Sequence, residues 1–236
     1  GVGYQRWGAE SSSAAVSAAT QWFGLGVGVG LLTLQYGGPG TGRAAAPAGQ
    51  DHLFDLGPIP VSERVAVLGA AKEAFGFQFG AATKLVEERI EDSRAAELQV
   101  DLSVAREVGP VTVGVTVRDW GEEPIVGSGV EPHRVVLGVG TYGRELGILD
   151  YGFTAAASFD DDAALFSGGL EVGYWPIQGR TFVGRIGLRE VPAGSDSSPL
   201  TLGFAFWGDD LVVEWAFQPV DSAPDRGTHR FGLRWQ

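Results

Sequence analysis

Residues 96–121, AELQVDLSVAREVGPVTVGVTVRDWG, alternate in polarity for almost their whole length. Leu98, Val100, Leu102 and Val104 are separated by Gln99, Asp101 and Ser103. After Gly109-Pro110, Val111, Val113, Val115 and Val117 are separated by Thr112, Gly114 and Thr116. Side chains of a strand point to opposite faces with a period of two. The stretch therefore reads as a hairpin with one aliphatic face and one polar or small face. What that aliphatic face touches, a protein core or lipid, decides what the chain can be.

The same alternation recurs along the chain. It predicts fourteen strands, near 2–8, 12–23, 25–36, 64–74, 76–90, 93–107, 110–120, 133–142, 145–158, 163–175, 179–191, 198–207, 210–218 and 227–235. Several exceed ten residues. Strands of globular proteins cluster at about 5–6 residues, whereas about 9–11 tilted residues cross a bilayer. Tight connections are expected at Gly24, Gly109-Pro110, Gly143-Arg144, Pro176 to Gly179 and Gly208 to Asp210. They alternate with longer ones at 37–63, 121–132, 159–162, 192–197 and 219–226. Short turns on one side and long loops on the other are the pattern of outer-membrane barrels.

Residues 11–42 carry no charge, which invites a spanning helix. Gly24, Gly26, Gly28 and Gly30 recur every second residue, however, and each would cost a helix about 1 kcal/mol. Period two marks strands. Residues 82–97 (ATKLVEERIEDSRAAE) hold the best helix formers, but their flanks are strand-like and the strand reading is preferred. With no spanning helix, backbone N–H and C=O groups in hydrocarbon can be paired only by closing a sheet on itself. The expectation is an all-β, closed antiparallel transmembrane β-barrel of about fourteen strands, forming one domain over residues 1–236, with 37–63 as a long surface loop.

The two faces carry different expectations. Leu98, Val100, Leu102, Val104, Val111, Val113, Val115 and Val117 are expected to face lipid. Asp101, Glu107, Arg118, Glu171, Arg185, Arg189, Glu214, Arg230 and Arg234 are the candidate lumenal charges, where mixed signs can pair across the interior. Trp7, Trp22, Tyr36, Trp120, Tyr142, Trp175, Trp207 and Trp235 fall near strand ends and are expected to form aromatic girdles at headgroup level.

Other chemistries find little support. The net charge is −12, so nucleic acid is not an expected partner, since phosphate backbones need clustered Lys and Arg. The chain has no Cys, which removes disulfides and cysteine-based zinc sites. It also has no Met and starts at Gly1, which points to a processed or trimmed product. His52, His133 and His229 fall in no HExxH or other catalytic pattern, and GxSxG, P-loop and CxxC motifs are absent. Asp160-Asp161-Asp162, Glu87-Glu88 and Glu91-Asp92 could attract cations, but solvated acidic rims explain them as well. No catalytic residue, metal or cofactor is expected, and no enzymatic activity.

Four stretches resemble a known family. They are FGFQFGAATKLVEERIEDSRAAELQVDLSVAREVGPVTVGVTVRDWG (75–121), GGLEVGYWPIQGRTFVGRIGLRE (168–190), LTLGFAFWGDDLVVEWAFQP (200–219) and GTHRFGLRW (227–235). The first holds a strand of the type G-x-x-x-K-hydrophobic, here Gly80 to Leu85, followed by a polar stretch and a hairpin. The last, beginning Gly227-Thr228-His229-Arg230, resembles a closing strand of the type G-x-T/S-H-R-x-S/G-L. Together they resemble the PorV/PorQ-like branch of the FadL-type outer-membrane barrels. That resemblance implies fourteen strands, an outer-membrane location in a Gram-negative-type bacterium, lipid as surroundings, and passage of hydrophobic or amphipathic small molecules. It implies as alternative a non-transport scaffold that anchors or shuttles a secreted or surface protein. The family's N-terminal plug, with its Asn-Pro-Ala-Gly-Leu-type turn, has no counterpart here. A soluble β-sandwich binding module is the further alternative.

Overall fold

A computed structural model describes residues 1–7, 11–36, 61–90, 93–121, 133–160, 163–177, 179–191, 198–220 and 223–235. The first half of the chain supplies β1 (Val2–Trp7), β2 (Ser11–Trp22), β3 (Leu25–Tyr36), β4 (Val61–Ala74), β5 (Phe77–Ile90), β6 (Ser93–Val108) and β7 (Val111–Gly121). The second half supplies β8 (Arg134–Leu146), β9 (Leu149–Phe159), β10 (Ala164–Ile177), β11 (Arg180–Arg189), β12 (Leu200–Trp207), β13 (Leu211–Val220) and β14 (Ala223–Trp235). Each pairs antiparallel with its sequence neighbours, and β1 closes the sheet against β14 through Val2↔Leu233, Tyr4↔Phe231 and Arg6↔His229. Closure leaves no strand edge unpaired. The fold is an all-β, closed fourteen-stranded antiparallel barrel, as the period-two pattern predicts.

The register sorts the residues into two walls. Leu202, Phe204 and Phe206 of β12 pair in line with Ile186, Gly184 and Phe182 of β11, and with Phe217, Trp215 and Val213 of β13. Most of the large members of that face, Phe204 and Ile186 among them, are exposed, and it forms the outer wall. The opposite, concave face carries small residues and the ion pairs of Lys84 and Arg185. Its only fully packed patch among the described residues is Val183, Ala205 and Val212 on β11–β13, all buried. A barrel wall has no hydrophobic core of its own, so most apolar side chains have the outside as their sole destination.

Residues 82–97 are strand throughout their described part, in β5 and β6. Hairpin pairing supplies every backbone bond there, which overrides the helix formers Leu85, Glu87, Glu88 and Ala95. Three boundaries differ from expectation. The turn expected at Gly143-Arg144 is a bulge inside β8: the register shifts between Thr141 and Arg144, and Gly143 has φ 61°. A glycine in the left-handed region absorbs the extra residue, and the chain reverses at Gly147 instead, φ 68°. β4 begins at Val61, so it takes the last residues assigned to the 37–63 loop, whose remainder lies outside the described residues. β14 starts at Ala223, pairing with Val220, where a loop over 219–226 was expected.

At the long-loop end Ile90 pairs with Ser93 and Val220 with Ala223, so two of the connections there are also short. The turns after β2, β4, β6, β8, β10 and β12 lie at the opposite end, together with both chain termini. Two of them place a bulky residue at positive φ before a glycine: Phe23 at 48° and Phe75 at 56°. The left-handed region disfavours such side chains, yet two-residue hairpin turns demand it because their twist matches the strands. Both rings are almost fully exposed at the hairpin tips.

Candidate functional site: the charged lumenal wall

Two clusters of charge stand on the concave face. In the first, Lys84 on β5 lies 2.8 Å from Asp101 on β6 and in direct contact with Asp119 on β7. The backbone N–H of Asp119 also donates to Asp101 Oδ1 at 2.9 Å. Asp119 reaches this position through a second irregularity. Leu102 faces Val117, but Val100 faces Trp120, so β7 holds one extra residue against β6. Asp119 adopts φ 59° there. The bulge turns Asp119 inward while Val117 and Trp120 both remain on the outer wall. These side chains are nearly enclosed, with 12%, 23% and 10% of Lys84, Asp101 and Asp119 exposed.

The second cluster is built around Arg185 on β11. Its Nε donates to Glu171 Oε2 of β10 at 2.5 Å, and its Nη1 to Glu214 Oε1 of β13 at 3.0 Å. Glu171 is directly opposite Arg185 in the ladder. Glu214 is two strands away, with β12 between. The intervening residue is Gly203, where a Cβ would stand 3.3 Å from Arg185 Cβ and 3.7 Å from its Cδ. The absent side chain gives the arginine stem its path across β12. The guanidinium also lies 5.9 Å from the centre of the Trp207 ring, a cation–π distance.

Of the nine expected lumenal charges, the structure brings Glu171, Arg185 and Glu214 together and joins Asp101 to Lys84 and Asp119. Glu107, Arg118, Arg189, Arg230 and Arg234 fall on the same face by register but belong to neither cluster. Lys84 and Asp119 escaped the sequence reading. A signal for Asp119 existed: the outward residues Val117 and Trp120 are three apart, so the alternation slips by one.

The expected aromatic girdle divides. Trp22, Trp120 and Trp235 are exposed on the outer wall. Trp207 is lumenal instead. It pairs with Thr181 and Val212, one step out of phase with the outward Phe206, and its indole nitrogen is buried. Trp175 likewise follows the outward Tyr174 and buries its indole nitrogen. Proximity to a strand end does not fix the face, because the phase of the alternation does. The side chains of Trp7, Tyr36 and Tyr142 lie outside the described residues. The eight expected lipid-facing residues, Leu98 to Val104 and Val111 to Val117, all take the outer wall, paired in line with Leu85, Phe79 and Leu137.

Beside the Arg185 cluster the wall is rich in glycine. A cavity of about 420 Å³ runs along β9–β13, floored by Gly152, Gly169, Gly187 and Gly203 and flanked by Glu171 and Arg185. On the facing arc, the middle of β2–β4 presents Ala15, Ala19, Gly28, Gly30, Val67 and Gly69 by register, with Glu63 toward one end of β4 and Glu73 toward the other. Among the described residues no three acidic or histidine side chains are placed to hold a metal ion. His229 stands on the outer wall, 4.8 Å from the Phe217 ring, and His52 lies outside the described residues. Asp160 accepts the N–H of Ala163 through Oδ1, as a turn residue does.

No protein-family description matches the sequence, and no curated protein matches it. The architecture does have counterparts among solved structures. The toluene transporter TodX of Pseudomonas putida superposes with a TM-score of 0.63 at 10% identity, over 98% of this chain and 86% of TodX. The toluene transporter TbuX of Ralstonia pickettii gives 0.60 at 12% identity, over 100% of this chain and 90% of TbuX. A TodX variant described as a monoaromatic hydrocarbon channel gives 0.59 at 10% identity. The chain thus has the fold of the FadL-type fourteen-stranded barrels.

Proposed function

We propose that this protein sits in the outer membrane of a Gram-negative-type bacterium and lets small hydrophobic or amphipathic molecules pass through its lumen. The observation that carries this reading is the division of the lumenal face. Opposite charges meet in two compact clusters, while the middle of the β2–β4 arc, between Glu63 and Glu73, is lined by Gly, Ala, Ser, Val and Leu. Charges that are paired no longer bind water as strongly as free ones, and the uncharged middle of the arc offers an apolar solute a surface. The similarity in fold to transporters of toluene supports the same direction. Catalysis has no part in this reading, nor does nucleic acid.

The membrane placement rests on the outer wall, where Leu, Val, Phe and Trp stand exposed around the barrel. An exposed apolar surface of that extent is not compatible with water. The long-loop end then faces outward and the tight turns face inward.

The test is uptake of a monoaromatic hydrocarbon into vesicles carrying the purified barrel. Uptake above protein-free vesicles is expected. Gly28→Trp, which places a ring on the uncharged middle of that arc, is expected to slow it severalfold without unfolding the barrel. Uptake equal to that of protein-free vesicles would overturn the channel reading.

A further inference from the structure

The lumenal ladder beside the Arg185 cluster forms a framed niche. Three rows of paired residues cross it, each two residues apart along the strands. In the middle row Thr154, Gly169, Gly187 and Thr201 stand side by side on β9–β12. The row toward the tight turns holds Gly152, Glu171, Arg185 and Gly203. The row toward the long loops sets Ser167 against Arg189. The centre of the niche is thus the bare backbone of Gly169 and Gly187. Thr154 and Thr201 wall it on two sides, and the charged pair Glu171–Arg185 closes one end. Strands lie about 4.8 Å apart and rise about 3.3 Å per residue, so the frame measures about 14 Å by about 13 Å. A Cβ at Gly169 would stand 3.3 Å from Thr154 Oγ1, and one at Gly187 2.5 Å from Thr201 Oγ1. Both hydroxyls therefore lean over the glycines.

Two missing side chains at paired positions leave a flat patch of peptide planes, which a planar ring can approach closely. The cavity above it holds about 420 Å³, within the range of small-molecule pockets. The closed end selects the ring's substituent. Of the five N–H donors of a guanidinium, Arg185 gives one from Nε to Glu171 and one from Nη1 to Glu214, which leaves three. Glu171 accepts through Oε2, and among the described residues its Oε1 is open to a further donor. Donor and acceptor thus stand side by side at one point. A neutral hydroxyl satisfies both, giving its proton to Glu171 and accepting from Arg185. A carboxylate satisfies the guanidinium alone and is repelled by Glu171 and Glu214. A ring without a polar group satisfies neither and shields both from water. Arg189 stands at the opposite end of the frame, about 13 Å along β11 from Arg185.

We propose that this niche binds a neutral planar ring bearing a hydroxyl, a molecule of the phenol class. The ring lies on Gly169 and Gly187, and its hydroxyl sits between Glu171 and Arg185. Beyond Arg185, toward the tight turns, Trp207 and the buried patch of Val183, Ala205 and Val212 occupy the same wall. The niche is therefore a stopping place for a solute that arrives from the long-loop end. The inference deepens the channel reading and rests on it for the route of entry, but binding is measured without transport.

The test is equilibrium dialysis of radiolabelled toluene, p-cresol and p-toluate against the detergent-folded barrel, with binding to empty micelles subtracted. The three rings differ only in the group opposite the methyl: hydrogen, hydroxyl or carboxylate. p-Cresol is expected to be held about tenfold more tightly than toluene, the order expected of hydrogen bonds to charged partners in a site still open to water. p-Toluate is expected to bind no more than to empty micelles. Gly169→Leu, which fills the niche and leaves Glu171 and Arg185 in place, is expected to abolish the binding of p-cresol. Glu171→Gln keeps the shape and removes one negative charge. It is expected to raise p-toluate binding severalfold and to weaken p-cresol. If Gly169→Leu fails to fold, this exchange of preference carries the test. Equal retention of p-cresol and toluene by the wild type overturns the proposal. So does p-cresol binding that survives Gly169→Leu, or a ranking of the three rings that Glu171→Gln leaves unchanged. Uptake of toluene into vesicles is scored separately. A barrel that passes toluene but holds p-cresol no better sinks this inference alone. One that holds p-cresol with the expected ranking but passes neither ring sinks the channel reading and leaves the niche.

Discussion

The two lumenal clusters have the same stoichiometry, one cation between two carboxylates, and reach it by different routes. The Lys84 cluster uses adjacent strands, β5, β6 and β7, and depends on a backbone irregularity to aim Asp119 inward. The Arg185 cluster keeps a regular register and depends on an absent side chain, Gly203, to let an arginine cross a whole strand. The lysine cluster is the more enclosed of the two. Side-chain exposure is 12%, 23% and 10% for its members, against 34%, 20% and 36% for Arg185, Glu171 and Glu214. A short ammonium serves where three side chains crowd one point, and a long planar guanidinium where two acceptors lie on either side of a strand. Similar electrostatic demands are thus met once by bending the backbone and once by deleting a side chain.

The difference in enclosure predicts a difference in cost. Lys84→Met leaves Asp101 and Asp119 facing each other in a site with little water, and should destabilise the barrel by about 3–5 kcal/mol. Urea unfolding in detergent, followed by tryptophan fluorescence, measures it. Val113→Arg stands outside both clusters, on the outer wall, and calibrates the membrane itself. Its expected cost is about 2–4 kcal/mol if the residue lies near the midplane of the bilayer, read by the same unfolding assay in vesicles. A neutral result there would undo the assignment of the two walls.

Arg185→Met should cost less, about 1–2 kcal/mol, because water screens the carboxylates it abandons. Equal losses for Lys84→Met and Arg185→Met would break the comparison between the clusters. The smallest effect is expected from Gly203→Ala. The new methyl group meets Arg185 at 3.3 Å, so the stem must shift from its path at a cost of about 1 kcal/mol. Combining it with Glu214→Gln sharpens the point: once the far carboxylate is neutral, Arg185 has less to gain from crossing, and the two losses should add to less than their sum.

The strand count, the antiparallel order and the apolar face were legible because each depends on local alternation. Leu98, Val100, Leu102 and Val104 lie on the outer wall together, since any uninterrupted strand keeps its phase. The trio Glu171, Arg185 and Glu214 was also visible, as charges among small residues on the polar phase. The irregularities were not. Gly143 resembles a turn residue, and only the pairing of Thr141 with Phe153 and Arg144 with Tyr151 turns it into a bulge. Trp207 resembles a girdle residue, and only its register against Val212 places it under Arg185. Asp119 resembles an exposed polar residue at a strand end until the slip between Val117 and Trp120 is counted.

The sequence by itself determined that the chain forms long two-faced strands joined by hairpins, because a period of two is a property of each segment alone. Whether those strands lie open or wrap until Tyr4 meets Phe231 depends on contacts more than two hundred residues apart in the chain. The same holds for the partners of Lys84 and Arg185. Register between strands sets all of these, and register is fixed by the closed sheet as a whole.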